Sequence, residues 1–177
     1  TYRIRIREQS RRAPQPLAPR HDVSRFTNGI HSSLDHWLRE RASSSEGLSA
    51  RTYVTCPSDE PNRVVGYFSV STALEQRSAL PSAKLRRGMP AQVPLLLIGR
   101  LAVDTEWRGR GVGSALLADA LRRCLRASEI AGARGVVAHA IDEAAVGFYE
   151  RHGFLRSPLG ERVMLMPIET VRSLVGT

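Results

Sequence analysis

The feature that most constrains this chain is a junction: an apolar run from Pro94 to Asp104 leads through Arg108-Gly-Arg-Gly-Val-Gly-Ser114 into a long amphipathic stretch, Gly113 to Ala131. In that stretch Leu116, Leu117, Ala120, Leu121, Cys124 and Leu125 recur on one helical face, with Arg122, Arg123 and Arg126 largely elsewhere. A buried strand that stops in a glycine turn at the start of a helix aims several backbone N–H groups, and the positive end of the helix dipole, at one point. Such a point holds phosphate. Gly109, Gly111 and Gly113 admit two readings from spacing alone: close approach of an anion, or a tight turn whose glycines serve packing. The spacing is not that of the dinucleotide fingerprint GxGxxG, and the acidic partner of that fingerprint is missing downstream.

Around the junction the periodicity alternates between strand and helix. Leu34, Trp37, Leu38 and Ala42 mark a short helix over Ser32 to Ala42, with Ser32 or Ser33 as its cap. Arg51 to Thr55 and Val64 to Ser71 read as an antiparallel hairpin about the turn-rich Pro57-Ser-Asp-Glu-Pro-Asn62. Residues 72 to 93 read as a long basic loop, and Pro94 to Asp104 as a central strand covered on both faces. Gly135 to Ile141 is a further strand, Asp142 caps a helix that ends at His152-Gly153, and Val163 to Met166 is the last strand. This order predicts a mixed α/β (α+β) sheet.

A chain of 177 residues with 42% hydrophobic content supports one domain and one core. Residues 1 to 20 carry six arginines against Glu8, with Pro14, Pro16 and Pro19 and no hydrophobic repeat, and read as a mobile basic arm ahead of a single domain over 21 to 177. That arm holds about half of the net charge of +9, which weakens any argument for nucleic acid from total charge. All basic residues except Lys84 are arginine, a type suited to bidentate phosphate contacts. Cys56 and Cys124 lie far apart with no CxxC and no Cys/His cluster, so neither a disulfide framework nor a metal site is expected. No run approaches the length of a membrane span, and the first residues alternate charged with apolar, unlike a secretory signal. A cytoplasmic protein with no membrane partner is the expectation.

Arg108-x-x-Gly111-x-Gly113, preceded by Leu101-Ala-Val-Asp104, resembles the cofactor-binding element of the GNAT superfamily of acyl-CoA-dependent N-acyltransferases. Downstream, Ala145-Val-Gly-Phe-Tyr-Glu-Arg-His-Gly-Phe154 resembles that superfamily's A-x-x-F-Y-x-x-x-G-F segment, whose tyrosine commonly serves as general acid. Phe26-Thr-Asn-Gly29, Leu34-Asp-His-Trp-Leu-Arg-Glu-Arg-Ala42, Val65-Gly-Tyr-Phe-Ser-Val70 and Gly99-Arg-Leu-Ala-Val-Asp104 narrow the likeness to the TacT and AtaT group of toxins, over roughly Pro16 to Glu169. Arg108 stands where many relatives have glutamine.

The resemblance implies a GNAT fold: a mostly antiparallel mixed sheet, splayed in its middle and flanked by helices. It implies acetyl-CoA as cofactor, CoA as product, and transfer to the α-amino group of an aminoacyl-tRNA. As partner it implies a small antitoxin, often a ribbon-helix-helix protein, with a homodimer among the assemblies open to the chain. The cofactor would lie along Leu101, Ala102 and Val103, opposite the strand at Val136 to Ala140, and over Arg108, Gly109, Arg110, Gly111, Val112, Gly113, Ser114 and Phe148. The Val103 N–H would polarise the thioester carbonyl, and Tyr149 would protonate the departing thiolate; the alternative for Tyr149 is a core aromatic. His139 and Asp142 are the candidates for a base, although an α-amino group titrating near neutrality does not require one. Arg77, Arg86 and Arg87 in the basic loop, with Arg39 and Arg41 near the first helix, are candidates for tRNA phosphates, or else a solvated face. One competing function, acetylation of a small amine or protein N-terminus, shares every cofactor feature. Another, a noncatalytic antitoxin- or nucleic-acid-binding protein, keeps only the fold, and the intact glycines and Phe148-Tyr149 argue against it.

Overall fold

The computed structural model describes residues 10–176. Arg3, Arg5 and Arg7 of the basic arm lie outside the described residues.

One sheet is built from β1 (Gln15–Pro16), β2 (Arg51–Thr55), β3 (Gly66–Gln76), β4 (Gln92–Val103), β5 (Gly135–His139), β6 (Leu155–Arg156) and β7 (Val163–Pro167). Their spatial order is β1-β2-β3-β4-β5-β7-β6. Neighbours are antiparallel except β4 and β5, which run parallel. The helices are α1 (Ser32–Glu40), α2 (Ala42–Ser45), α3 (Ala83–Arg86), α4 (Val112–Ala131), α5 (Glu143–Arg151) and α6 (Ile168–Val175).

The apolar face read from the sequence of α4 is its buried face: Leu116, Leu117, Leu121 and Cys124 pack with Phe68, Ile98, Val136, Met164 and Val171. Full burial of each such aliphatic side chain stabilises the fold by roughly 1.5 to 3 kcal/mol. A second cluster joins Trp37 and Leu38 of α1 to Phe26, Val54, Tyr67 and Ala102. A third seats Leu80 and Leu85 of the segment between β3 and β4 over Val93, Leu95, Val137 and Leu165. Both cysteines are buried free thiols, pushed by burial up to about 11 for Cys56 and about 12 for Cys124.

Two stretches are more ordered than their composition implies. The basic loop expected over 72 to 93 shrinks to 77–91, because β3 continues to Gln76 and pairs Thr72 with Leu96 and Gln76 with Gln92. Its Ala73-Leu-Glu-Gln76 end lies past the main core and carries little apolar signal. The arm enters the described structure at Ser10; Arg11 bridges Pro57, and Gln15–Pro16 pair with β2. The Leu17 N–H donates to the Thr52 carbonyl and the Arg12 N–H to the Cys56 carbonyl, both at 2.9 Å. Pro14 and Pro16 fit this strand because it is an edge, where a missing N–H costs no ladder bond.

The site is positioned by the parting of β4 from β5. These strands pair only from Leu96 to Ile98 against Val136 to Ala138. At that level the β3–β4 register shifts between Ser69 and Val70, leaving Gly99 as the extra residue of a bulge. From Gly99 onward β4 follows β3 alone.

Candidate active site

Backbone polar groups alternate sides along a strand. The Asp104 N–H donates to the Val65 carbonyl, which with the antiparallel register turns Ala102 toward its partner Tyr67 in β3. The N–H and C=O of Leu101 and Val103 therefore face the parting. Ala102, expected among the cofactor-binding groups, gives the cleft surface but keeps its backbone bonds within the sheet. The Val103 carbonyl accepts from Asn28 Nδ2 at 3.4 Å, and no protein acceptor among the described residues takes the Val103 N–H.

Asp104 ends β4 and is almost completely buried. One of its carboxylate oxygens accepts the Glu106 N–H at 3.0 Å, the other the Thr27 N–H at 3.1 Å, so one side chain caps a 3₁₀ turn at Thr105–Trp107 and anchors the loop before α1. The chain then passes Gly109 and Gly111 at φ 70° and 73°, a left-handed conformation that glycine adopts at least cost. A Cβ at either would meet nothing within 4 Å, so the space above the turn is open. Gly113 differs: its φ is ordinary, and a Cβ there would sit 3.5 Å from Phe148 Cε2, in normal contact. The first intrahelical bond of α4 at this end is from the Ala115 N–H to the Gly111 carbonyl. The N–H groups of Val112, Gly113 and Ser114 thus point out of the helix end without an intrahelical acceptor.

These groups line a cleft of about 530 Å³ together with Leu101, Val103, Arg108, Phe148 and Tyr149. A second cavity, of about 290 Å³, adjoins it at the parting and includes Ser33, Arg100, His139 and Ala140. Leu34, Leu101, Ile141, Ala145 and Tyr149 line both. Tyr149 is only 5% exposed, stacked edge-on between Phe148 and Phe154, and no protein group hydrogen-bonds its hydroxyl among the described residues. Burial pushes its phenol well above the usual tyrosine range, so it holds its proton at neutral pH. The structure thus puts a protonated donor where two cavities meet.

The remaining residues expected at the cofactor divide. The Arg108 side chain donates to the Asn28 carbonyl and lines the cleft. Arg110 is exposed, its guanidinium 5.0 Å from the centre of the Trp107 ring and outside the cleft lining. Ser114 Oγ lies 2.9 Å from His152 Nε2, while His152 Nδ1 is 2.7 Å from the Phe148 carbonyl. A carbonyl only accepts, so Nδ1 carries the proton and, in the neutral ring, the serine hydroxyl donates to Nε2. Asp142 does more than cap α5: one carboxylate oxygen accepts the Ala145 N–H at 2.8 Å and the other meets His31 Nε2 at 2.7 Å. These bonds, the Ala145 N–H first, hold its carboxyl below the usual range.

None of the five arginines assigned to tRNA phosphates lines either cavity. Three are used internally. Arg39 donates to the Phe26 carbonyl at 2.8 Å and pairs with Asp35, Arg77 donates to the Met89 carbonyl at 2.8 Å, and Arg86 to the Leu80 carbonyl at 2.6 Å. Arg41 and Arg87 are exposed, with no side-chain partner among the described residues. The sequence reading passed over Arg100, Arg151, Asn28 and His31, all of which line a cavity. Asn28, Arg100 and Arg151 lie in segments quoted for the family resemblance, and the role of the first is now visible: Asp35 accepts the Asn28 N–H at 2.7 Å and sets the loop against Val103.

Comparison with known proteins places this geometry in a wider group. The family model for the acetyltransferase (GNAT) domain matches residues 50–156. Over 165 residues the chain is 36% identical to the tRNA-acetylating toxin of Mycobacterium tuberculosis, covering 93% of this chain and 96% of that protein. The solved structure of AtaT complexed with acetyl-methionyl-tRNAfMet superposes with a TM-score of 0.84 at 26% identity, over 93% of this chain and 99% of that one. The structure of AtaTR bound with AcCoA superposes with a TM-score of 0.78 at 28% identity, over 91% and 96%.

Proposed function

This chain belongs to the GNAT acetyltransferases, and from that premise we propose that it is a toxin that acetylates the α-amino group of aminoacyl-tRNA and so blocks translation. The observation that carries the proposal is the pair of cavities meeting at Tyr149, on a chain akin over nearly its whole length to a tRNA-acetylating toxin. A small antitoxin protein is the partner that such a toxin requires. Among the described residues no helix is long and apolar enough to cross a membrane.

The open space over Gly109 and Gly111, with the outward N–H groups of Val112, Gly113 and Ser114, suits the diphosphate of acetyl-CoA, and Arg108 and Arg151 add positive charge along the same cleft. The exposed backbone of Leu101 and Val103 offers a strand edge to the amide-bearing arm. Bound acetyl-CoA supplies an acetyl group activated as a thioester. The Val103 N–H, turned into the parting, would stabilise the negative charge that develops on the carbonyl oxygen, an arrangement that contributes ~3 to 4 kcal/mol in comparable acyl transfers. The neutral α-amine approaches from the second cavity, its nitrogen bonding to the acetyl carbon as the C–S bond breaks. Tyr149 gives its proton to the leaving sulfur and is reprotonated from solvent, while the proton shed by the amine passes to water. His139 lines the amine's cavity, but an α-amine that titrates near neutrality is in part already neutral at about pH 7 to 8 and needs no strong base.

The test is to supply labelled acetyl-CoA with separate pools of charged tRNA, uncharged tRNA and soluble protein. Label should enter the charged tRNA alone. Label on proteins, or equally on uncharged tRNA, would contradict the proposal.

A further inference from the structure

The second cavity holds a cation that acetyl transfer itself does not employ. Arg100 follows the bulge residue Gly99, at the point where β4 leaves β5, and its guanidinium lies 4.3 Å from the centre of the Trp37 ring. That platform is fixed: Trp37 is stacked on Tyr67 at 5.9 Å, and the Tyr67 hydroxyl donates to the Leu34 carbonyl at 2.7 Å. Arg63, Arg123, Arg134 and Arg156 each pair with a carboxylate. Among the described residues Arg100 has no ion pair, and its side chain donates no hydrogen bond to protein. Burial lowers its guanidinium from the ordinary value, a sign that the charge is partly stripped of water. No aspartate or glutamate lines the cavity, and its other titratable groups are His139 and Tyr149.

An acid-free cavity with an unpaired guanidinium disfavours cationic acceptors such as a lysine side chain or a polyamine, and it favours an anion. We propose that Arg100 binds the phosphodiester that precedes the terminal nucleoside of an aminoacylated RNA 3′ end, and so brings the ester-linked amine to Tyr149. The assignment rests on the aminoacyl-tRNA reading and adds the group that recognises the acceptor. With one face on Trp37, the fork of N–H donors stays available at its edge, and that fork matches two phosphate oxygens. Arg100 precedes Val103 by three residues, about 10 Å along an extended strand. This matches the reach of one nucleoside between its 5′ phosphate and an amino acid on its 3′ ester. Leu34, Ala140 and Ile141 remain for the amino-acid side chain.

The experiment compares Arg100→Gln with wild type on three acceptors carrying the same amino acid: whole aminoacyl-tRNA, aminoacyl-CpA, and aminoacyl-adenosine, which lacks the phosphodiester. The variant should lose about 10- to 100-fold in kcat/KM on the first two, mainly through KM. It should match wild type on the third and bind acetyl-CoA with unchanged affinity, and Arg100→Lys should recover part of the loss. Equal losses on all three acceptors would assign Arg100 to packing on Trp37 and overturn the proposal, as would wild-type kinetics on aminoacyl-CpA. If the wild type acetylated none of the three, the aminoacyl-tRNA reading would fall and this assignment with it.

Discussion

Tyr149 and Gly111 show what a single residue decides here. Because no protein group hydrogen-bonds the Tyr149 hydroxyl, removing it should cost chemistry and little stability. Tyr149→Phe is expected to lower turnover by about 100-fold or more, with a melting temperature near that of wild type, as read from CoA release and thermal unfolding. Gly111 at φ 73° caps α4, so any L-residue there costs about 1 to 2 kcal/mol, and Gly111→Asp also places a negative charge where the diphosphate is to sit. Calorimetry on the folded variant should find acetyl-CoA binding abolished; unchanged affinity would remove the turn from the cofactor site. Both residues were legible because short local motifs carry them. Arg100 also lies in a quoted segment, Gly99 to Asp104, but its stacking on Trp37, 63 positions earlier in the chain, and its lack of a carboxylate partner are not visible there. Arg77 and Arg86 also hold carbonyls of their own loop, a structural use that a polar stretch of sequence does not reveal.

Among the elements, α5 carries Tyr149 into the site, and Asp142 holds the start of that helix twice, through the Ala145 N–H and through His31 of the segment leading into α1. Asp142→Ala should cost about 1 kcal/mol in urea unfolding, whereas Asp142→Asn, which can still cap, should cost less. The folded carboxyl is depressed, chiefly by the Ala145 N–H. Its contribution is therefore complete above about pH 4 and fades as pH falls below that value. A wild-type advantage over Asp142→Ala that persisted unchanged well below pH 4 would contradict this. The helices and central strands were readable because α4, β4 and β5 bury continuous or evenly spaced apolar residues. The far end of β3 and the edge strand β1 were not, because one is polar and alternating and the other is built around Pro16.

For the whole molecule, the parting of β4 and β5 is the central device. It opens the sheet into two adjoining cavities, one reaching the start of α4 and one holding Arg100 and His139, with Tyr149 lining both. The proposed reaction uses the first for acetyl-CoA and the second for the acceptor. The net charge of +9 said little by comparison, since many arginines are absorbed by internal carboxylates and carbonyls. An aminoacyl ester at an RNA 3′ end joins a neutral amine to a nearby phosphodiester, the combination that the proposed roles of Tyr149 and Arg100 call for. The most direct measurement is mass spectrometry of the aminoacyl-adenosine released by ribonuclease from charged tRNA after incubation with the protein and acetyl-CoA. One acetyl group on the α-amine is the predicted result, formed about 100-fold more slowly, or slower still, when Tyr149→Phe replaces the wild type under the same conditions. Unmodified aminoacyl-adenosine, alongside acetyl groups on proteins or free amines, would contradict the account.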